Sequence, residues 1–234
     1  MKIAVMQPYF FPYLGYFQLI HASERFVFYD DVNFIKNGWI NRNRFLFEGA
    51  PRYFTIPLAG ASPFTLIRDI RVQPSDQPWR RKLVETMRVA YKGAPHRDQG
   101  MGLLEGTLAI ESDAIADFAR HSVKSVMEYL GLDRETIDSS ARYGNESLHG
   151  EARILDICQR EAASVYVNAP GGRPLYDSSR FRAAGVELRF VDGRLDAYPQ
   201  RAPAFVPGLS ILDAIMHCPR ARVAEMLGAY ALTA

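Results

Sequence analysis

Short apolar runs alternate with segments of helical periodicity along this chain. Five runs have the length and composition of buried β-strands, and they cover residues 2–6, 26–30, 136–140, 164–168 and 186–191. Helical patterns lie between most of these runs, over residues 13–22, 148–160 and 175–184. Strands that alternate with helices are typical of βαβ crossovers. The pattern therefore predicts an α/β fold with a Rossmann-like parallel sheet of about five strands.

The rhythm of strand and helix changes between residues 45 and 134. Residues 52–58 and 66–72 alternate polar and apolar side chains, which predicts an extended pair. Two amphipathic helices are predicted after it, over residues 78–91 and 113–130. We interpret residues 45–134 as an insertion that consists of a hairpin and a helical lid.

Capping residues mark the predicted ends of these two helices. Ser75 or Asp76 is a candidate N-cap for the first helix, and Ser112 is a candidate for the second. Gly131 has the position of a C-terminal glycine cap. Residues 1–234 together are predicted to form a single α/β domain that contains the insertion.

Composition excludes several classes of function. The 234 residues are 48% hydrophobic and 23% charged, with a net charge of +2, so no bulk charge favours nucleic acid or membrane binding. The start of the chain lacks the h-region of a signal peptide, and no apolar run approaches the length of a membrane helix. We expect a cytoplasmic protein without membrane insertion and without nucleic acid as a partner.

Metal and cofactor motifs are missing from the sequence. The two cysteines, Cys158 and Cys218, give neither a disulfide framework nor a zinc spacing, and the five histidines form no ligand cluster. The sequence also lacks G-x-S-x-G, the P-loop and G-x-G-x-x-G. We therefore expect no metal site, no cofactor, and neither an α/β-hydrolase nor an ordinary NAD enzyme.

Polar and aromatic residues follow the first predicted strand. The turn over residues 7–16 contains two prolines and a glycine, and Gly15 lets a helix start approach a neighbour without a Cβ in the way. Ligands of parallel sheets bind at the carboxyl ends of the strands. The residues of this turn that we predict to bind substrate are Gln7, Tyr9, Tyr13 and Gly15.

A second polar cluster follows the second predicted strand. We predict three catalytic residues here, because a carboxylate can act as a base and a guanidinium can hold an oxyanion; they are Asp30, Asp31 and Arg42. Which of the two aspartates is the catalytic carboxylate stays open, and turn capping is the alternative role for both. The predicted substrate-binding residues of the cluster are Lys36, Trp39, Asn41 and Asn43.

The last third of the chain supplies further candidates. Asn168 follows the fourth predicted strand, and Tyr176 lies just after a glycine pair whose alternative is an ordinary turn. Tyr198 and Gln200 lie in a proline-rich loop that is placed to cover the cleft. We predict that these four residues bind substrate.

Residues 210–213 have the pattern of a capping box. Asp213 stands in the place of its usual glutamate, so a cap is its simpler role. A terminal helix is predicted over residues 220–230.

Five motifs resemble those of the WbqC-like family, which takes its name from bacterial surface polysaccharide (O-antigen) gene clusters. They lie at residues 7–17 (QPYFFPYLGYF), 30–43 (DDVNFIKNGWINRN), 145–148 (NESL), 198–200 (YPQ) and 210–213 (SILD). Many members have histidine where this chain has Met6. The resemblance covers nearly the whole chain and implies a role in nucleotide-linked or amino-sugar metabolism.

Together these observations lead to three hypotheses about function. The first is a transferase that moves an acyl or aminoacyl group onto a nucleotide-linked amino sugar, with an acyl or peptidyl carrier protein as a candidate partner. The second is a degenerate HIGH-like nucleotidylyltransferase, in which Lys36 and Arg42 hold phosphates. The third is a module that binds a sugar or a carrier protein without catalysis.

Overall fold

The computed structural model describes residues 1–74 and 78–234. Its strands are β1 (Lys2–Met6), β2 (Arg25–Phe28), β3 (Arg42–Phe47), β4 (Ala50–Thr55), β5 (Leu58–Ala59), β6 (Arg71–Val72), β7 (Glu135–Ile137), β8 (Val165–Asn168), β9 (Glu187–Gly193) and β10 (Tyr230–Thr233). Its α-helices are α1 (Leu14–Ala22), α2 (Trp79–Ala90), α3 (Arg97–Leu108), α4 (Ile115–Leu130), α5 (Gly150–Arg160), α6 (Ser178–Ala183), α7 (Ile211–His217) and α8 (Arg220–Leu227). Short 3₁₀ turns cover Ile67–Asp69, Ser140–Tyr143 and Pro170–Leu175.

The central sheet has six strands in the order β10-β9-β8-β1-β2-β7. Strand β1 pairs in parallel with β2 and β8, β2 with β7, and β8 with β9. The five predicted strands are thus present and parallel, and the predicted α/β class is confirmed. Because β1 lies between β2 and β8, the carboxyl ends of these three strands meet at one edge.

The sixth strand, β10, was not predicted. It pairs antiparallel with β9 at the edge of the sheet. The predicted terminal helix over residues 220–230 ends instead at Leu227, and Tyr-Ala-Leu-Thr follows as a strand. Four residues at an edge are too short to show a clear period-two pattern, so the pairing depends on the neighbouring β9.

Apolar side chains cover both faces of the sheet, which explains why β1 is a continuous apolar run. Along β1, Ile3 and Val5 pack towards α5 and α6, whereas Ala4 packs towards α1, α4, α7 and α8. Both sides are closed by helices, as expected for parallel strands joined by crossovers. No helix in the described ranges is long and apolar enough to cross a membrane.

The predicted pairing of residues 52–58 with 66–72 is only partly correct. Strand β4 pairs with β3, and only the short β5 pairs with β6. Glu48 and Gly49 both have positive φ, 50° and 75°, and they join β3 to β4 as a two-residue turn. The three polar residues of β3 concealed this strand, because the side chains of Asn43 and Arg44 bind carbonyls of distant segments.

Helices α2 and α4 lie close to their predicted positions, whereas α3 was not predicted. The predicted caps Ser75 and Asp76 lie outside the described residues. The N-cap of α4 is Ala114 rather than Ser112, although the Ser112 hydroxyl accepts a hydrogen bond from the Ala114 N–H at 3.1 Å. Gly131 ends α4 with φ of 71°, as predicted.

Three glycines within α3 explain why it was missed, because glycine weakens the helical signal. Gly100 faces Met216, and a Cβ there would lie 2.5 Å from the Met216 Cγ. Gly102 and Gly106 have open space around them. Close packing against α7 therefore requires glycine only at Gly100.

Candidate functional site

A strained turn connects β1 to α1 and forms one wall of the site. Phe11 is buried with φ of 42°, which is uncommon for a side chain of its size. Its N–H donates to the Ser122 Oγ at 2.9 Å, and its carbonyl accepts from the Asn43 Nδ2 and the Ser210 Oγ, both at 2.8 Å. Three distant segments thus hold the turn in place.

A cavity of about 590 Å³ lies at the carboxyl ends of β1, β2 and β8. Small-molecule sites commonly have this size and this position in a parallel sheet. Six of its lining residues carry an aromatic ring, namely Tyr9, Tyr13, Tyr16, Tyr29, Trp39 and Tyr176. Gln7 and Asn168 add side-chain amides. The cavity thus combines stacking surfaces with groups that both donate and accept hydrogen bonds.

Gly15 determines where the Tyr13 ring lies. A Cβ at Gly15 would be 2.4 Å from the Tyr13 Cε2, a distance that real Cβ atoms do not show. The neighbour that requires glycine here is therefore a cavity-lining ring rather than a strand. Tyr16, one residue further on, donates its hydroxyl hydrogen to the Gln7 carbonyl at 2.8 Å and fixes the end of β1.

The opposite wall consists of Asn168 and the turn that follows it. Asn168 is buried, and its Oδ1 accepts from the Ala169 N–H at 2.7 Å. A Cβ at Gly172 would lie 2.5 Å from the Asn168 Nδ2, whereas one at Gly171 would meet nothing within 4 Å. Gly172 therefore allows the turn to pack against the Asn168 amide and the Tyr176 ring.

The electrostatics of the cavity are those of a neutral, hydrogen-bonding site. Among the described residues that line it, none is Asp, Glu, His, Lys, Arg or Cys. Burial raises the pKa of the phenols of Tyr9, Tyr13, Tyr29 and Tyr176 above the usual range. These hydroxyls therefore stay protonated at neutral pH and act as donors.

Asp31, a predicted catalytic residue, does not line the cavity. Its side chain is fully buried and forms a salt bridge to the Arg153 Nη2 at 2.5 Å, and Ser140 donates a hydroxyl to it. Arg153 also donates to the Asn145 Oδ1 at 2.9 Å and lies over the Tyr29 ring at 5.0 Å. Asp31 therefore stabilises the wall behind Tyr29.

Asp30 is also buried outside the cavity lining. It accepts from the Ser139 Oγ at 2.6 Å, and the Arg120 Nη1 lies 3.6 Å from its Oδ2. Burial raises the pKa of this carboxyl, while Ser139 and Arg120 oppose the shift. Both aspartates thus connect β2 to the segment after β7, which differs from the predicted role of a base.

Arg42 has a structural role as well, in contrast to its predicted role at an oxyanion. Its guanidinium donates to the carbonyls of Gly38 and Asn37 and lies over the Tyr53 ring at 4.6 Å. The prediction that it points to the strand ends is wrong, because the loop before β3 folds back on it. Arg42 is therefore not a residue of the cavity lining.

The remaining residues of the second cluster also lie away from the cavity, with Trp39 as the exception. Asn41 donates to the Ile56 carbonyl at 2.8 Å, and Asn43 holds the Phe11 turn. Lys36 is exposed and is not among the lining residues. The side chains of Asn41 and Asn43 therefore hold neighbouring segments in place through contacts that the sequence pattern does not reveal.

Tyr198 and Gln200 surround a buried carboxylate elsewhere in the fold. Asp213 accepts from the Tyr198 hydroxyl at 2.8 Å, the Gln200 Nε2 at 2.9 Å and the Tyr91 hydroxyl at 2.9 Å. The prediction that Asp213 is simply a helix cap is wrong, since its carboxylate binds these three side chains and the Ser210 N–H donates to the Arg44 carbonyl instead. The Ser210 hydroxyl caps α7 by accepting from the Leu212 N–H.

Several lining residues escaped prediction. Tyr29 lies one residue before the end of the second predicted strand, and Gln7 lies one residue after the first, so the same strand-end signal was present. Ile35, Ile154 and Leu175 are ordinary apolar residues without any sequence signal for a site. Arg153 looked like one polar residue on a helix, although it pairs with a carboxylate 122 positions away.

Comparison with known proteins places the chain in a family. The model of the WbqC-like protein family matches residues 7–225, which include every lining residue of the cavity except Val5 and Met6. The chain belongs to the WbqC-like protein family. The resemblance drawn from the five motifs is therefore confirmed at the level of the family.

One relative matches this WbqC-like chain over nearly the whole length of both proteins. The uncharacterized protein Rv1507c of Mycobacterium tuberculosis is 27% identical over 221 residues, which cover 92% of this chain and 93% of the relative. No solved structure matches the chain. Within residues 1–74 and 78–234, no group of three or more His, Cys, Asp or Glu side chains is placed to hold a metal ion.

Proposed function

We propose that this protein binds an activated sugar, such as a nucleotide-linked amino sugar, in the cavity at the carboxyl edge of the sheet, and acts on it as a transferase. The observation that carries the proposal is the lining itself, six aromatic rings with two amides around about 590 Å³. Aromatic faces stack on sugar rings and nucleobases, and amides bind hydroxyl groups. The resemblance drawn from the five motifs implies a role in amino-sugar metabolism, which is the reason for choosing such a ligand.

The transfer step would depend on how the cavity orients the two substrates and on hydrogen bonds from tyrosine hydroxyls. Tyr9 and Tyr13 line the cavity, and their phenols make no side-chain hydrogen bond to other described residues. Protonated phenols suit an oxygen that gains negative charge when an amine attacks an acyl carbon. We assign no base, because the carboxylates of Asp30 and Asp31 are engaged by Ser139, Ser140 and Arg153.

A binding module without catalysis is the second candidate. The neutral lining favours it, because a transfer reaction usually employs a general acid or base in the cavity. The nucleotidylyltransferase hypothesis is less well supported, since neither Lys36 nor Arg42 lines the cavity to hold phosphates. The two leading candidates share the ligand and differ in turnover.

A ligand panel distinguishes these candidates. Isothermal titration with nucleotide sugars, amino sugars and acyl thioesters measures binding, and mass spectrometry of the mixtures detects an acylated sugar. We expect a nucleotide-linked amino sugar to bind and to gain an acyl group when a thioester donor is present. Binding without product would favour the module, and no binding across the panel would contradict the proposal.

The Gly15→Ala variant tests whether the Tyr13 ring belongs to the site. The new methyl group must displace that ring, and the lost stacking is expected to weaken sugar binding about tenfold. Gly102→Ala is the matched control, because it is also a helical glycine and nothing lies within 4 Å of its Cβ position. Titration of both variants measures the effect, and equal affinity in the two would show that the Tyr13 ring is not part of the binding site.

A further inference from the structure

Four large apolar side chains project into solvent beside the mouth of the cavity. Ile35, Trp39, Tyr53 and Phe64 expose 54%, 36%, 54% and 88% of their surface. Exposed apolar groups that lie singly need no explanation, but a group of four at one place indicates an interaction surface. We call the part of residues 32–68 that carries them the basic–aromatic face.

Contacts between the loops show that these side chains lie on neighbouring segments. The Phe34 N–H donates to the Thr65 carbonyl at 2.9 Å, and Asn33 forms a β-bridge with Leu66. These contacts place the loop of Ile35 beside the loop of Phe64. On the other side, the rings of Trp39 and Tyr53 stack with centroids 6.2 Å apart. Since Ile35 and Trp39 also line the cavity, the face adjoins its mouth.

Positive charge is concentrated in the same segment. Residues 32–68 contain five cationic side chains, Lys36, Arg42, Arg44, Arg52 and Arg68, and one acidic side chain, Glu48, although the whole chain has a net charge of only +2. Among the described residues, only Arg68 of these five forms a salt bridge, with Asp69. Of these, Arg42 and Arg44 lie with their guanidinium groups over the rings of Tyr53 and Trp39, so positive charge lies on the face itself.

We propose that the basic–aromatic face docks onto an anionic lipid bilayer and holds the cavity mouth at the membrane surface. Tryptophan and tyrosine favour the interface between lipid and water, and lysine and arginine near it are attracted by anionic headgroups. A fluid surface accommodates apolar side chains that project from separate loops. For this reason the observations favour a bilayer over an acidic protein such as a carrier protein. The proposal holds whichever ligand fills the cavity.

Vesicle sedimentation tests the proposal with the full chain. Vesicles of phosphatidylcholine with phosphatidylglycerol should bind the wild-type protein, and vesicles of phosphatidylcholine alone should bind it far less. The double variant Lys36→Glu/Phe64→Ser should lose at least about tenfold in partitioning to the anionic vesicles. Added salt should weaken binding by the wild-type protein, because salt screens the attraction to the headgroups.

A matched double variant on α2 serves as the control. Lys82→Glu/Val89→Ser makes the same charge and polarity changes on exposed residues of another surface, where Val89 is 64% exposed. It should bind anionic vesicles as the wild-type protein does, and thermal melts should show both variants folded.

Four results would overturn the proposal. They are no binding of anionic vesicles by the wild-type protein, equal loss in the control variant, binding of an acidic carrier protein but not of vesicles, and a wild-type dimer that the face variant converts to a monomer.

Discussion

Replacing Asp31 with alanine is expected to lower the free energy of unfolding by about 3–5 kcal/mol, because it leaves the buried charge of Arg153 without a partner. The two side chains are 0% and 4% exposed and their charged atoms are 2.5 Å apart. Among the residues that the structure describes, Arg153 retains two acceptors in the variant, the Asn145 Oδ1 and the backbone carbonyl of residue 31. Urea denaturation of both proteins measures the difference.

The exposed pair of Arg189 and Glu187 provides the control for this prediction. Its side chains are 36% and 53% exposed, so Glu187→Ala should cost no more than about 1 kcal/mol. The double variant Asp31→Leu/Arg153→Met should recover much of the loss, since an apolar pair removes both buried charges. A cost below about 1 kcal/mol for Asp31→Ala would contradict the role assigned to this pair.

Replacing Asp213 with alanine is expected to cost about 3 kcal/mol or more, well above the ~1 kcal/mol for loss of a simple cap. Its carboxylate accepts from Tyr91, Tyr198 and Gln200, and the variant leaves these donors without that acceptor. Burial and the Asp213 charge both raise the pKa of Tyr91 and Tyr198, so the two phenols stay protonated donors. Thermal and urea denaturation measure the loss.

Two further single substitutions separate the contribution of the hydrogen bonds to Asp213 from that of the helix cap at Ser210. Tyr198→Phe removes one donor and keeps the carboxylate, so it should cost only about 1 kcal/mol. Ser210→Ala removes the hydroxyl that caps α7 and binds the Phe11 carbonyl. If Asp213→Ala costs no more than Tyr198→Phe, the three hydrogen bonds do not act together.

The centre of the sheet was predictable from the sequence because its inner strands β1, β2 and β8 are buried on both faces. Continuous apolar runs such as residues 2–6 and 164–168 carry this signal locally. Strands β3 and β10 were not predictable, because their stability comes from partners. Strand β3 contains Asn43 and Arg44, whose side chains bind the Phe11 and Gly208 carbonyls far along the chain.

The position of the cavity was predictable from the sequence, whereas the structural roles of the charged residues that were predicted to line it were not. Gln7, Tyr9, Tyr13 and Asn168 line the cavity because strand ends of a parallel sheet meet at one edge. Asp30, Asp31 and Arg42 have the residue types of a catalytic group, but each is neutralised or hydrogen-bonded by Ser139, Arg153 or local carbonyls. Two side chains that pair although they lie more than 100 residues apart in the sequence leave no signal in the hydrophobic periodicity.

The fluorescence of Trp39 tests most directly whether the cavity is the ligand site. The chain has two tryptophans, so Trp79→Phe leaves Trp39 in the lining as the sole tryptophan, whose emission is recorded with excitation that tyrosine does not absorb. Titration of this variant with a nucleotide-linked amino sugar should change the emission saturably, with the Kd found by calorimetry. The Trp39→Phe variant, which retains the buried Trp79, should show no change. Two results would place the ligand elsewhere and contradict the account. One is calorimetric binding without a change in Trp39 emission, and the other is a change in emission from Trp79 alone.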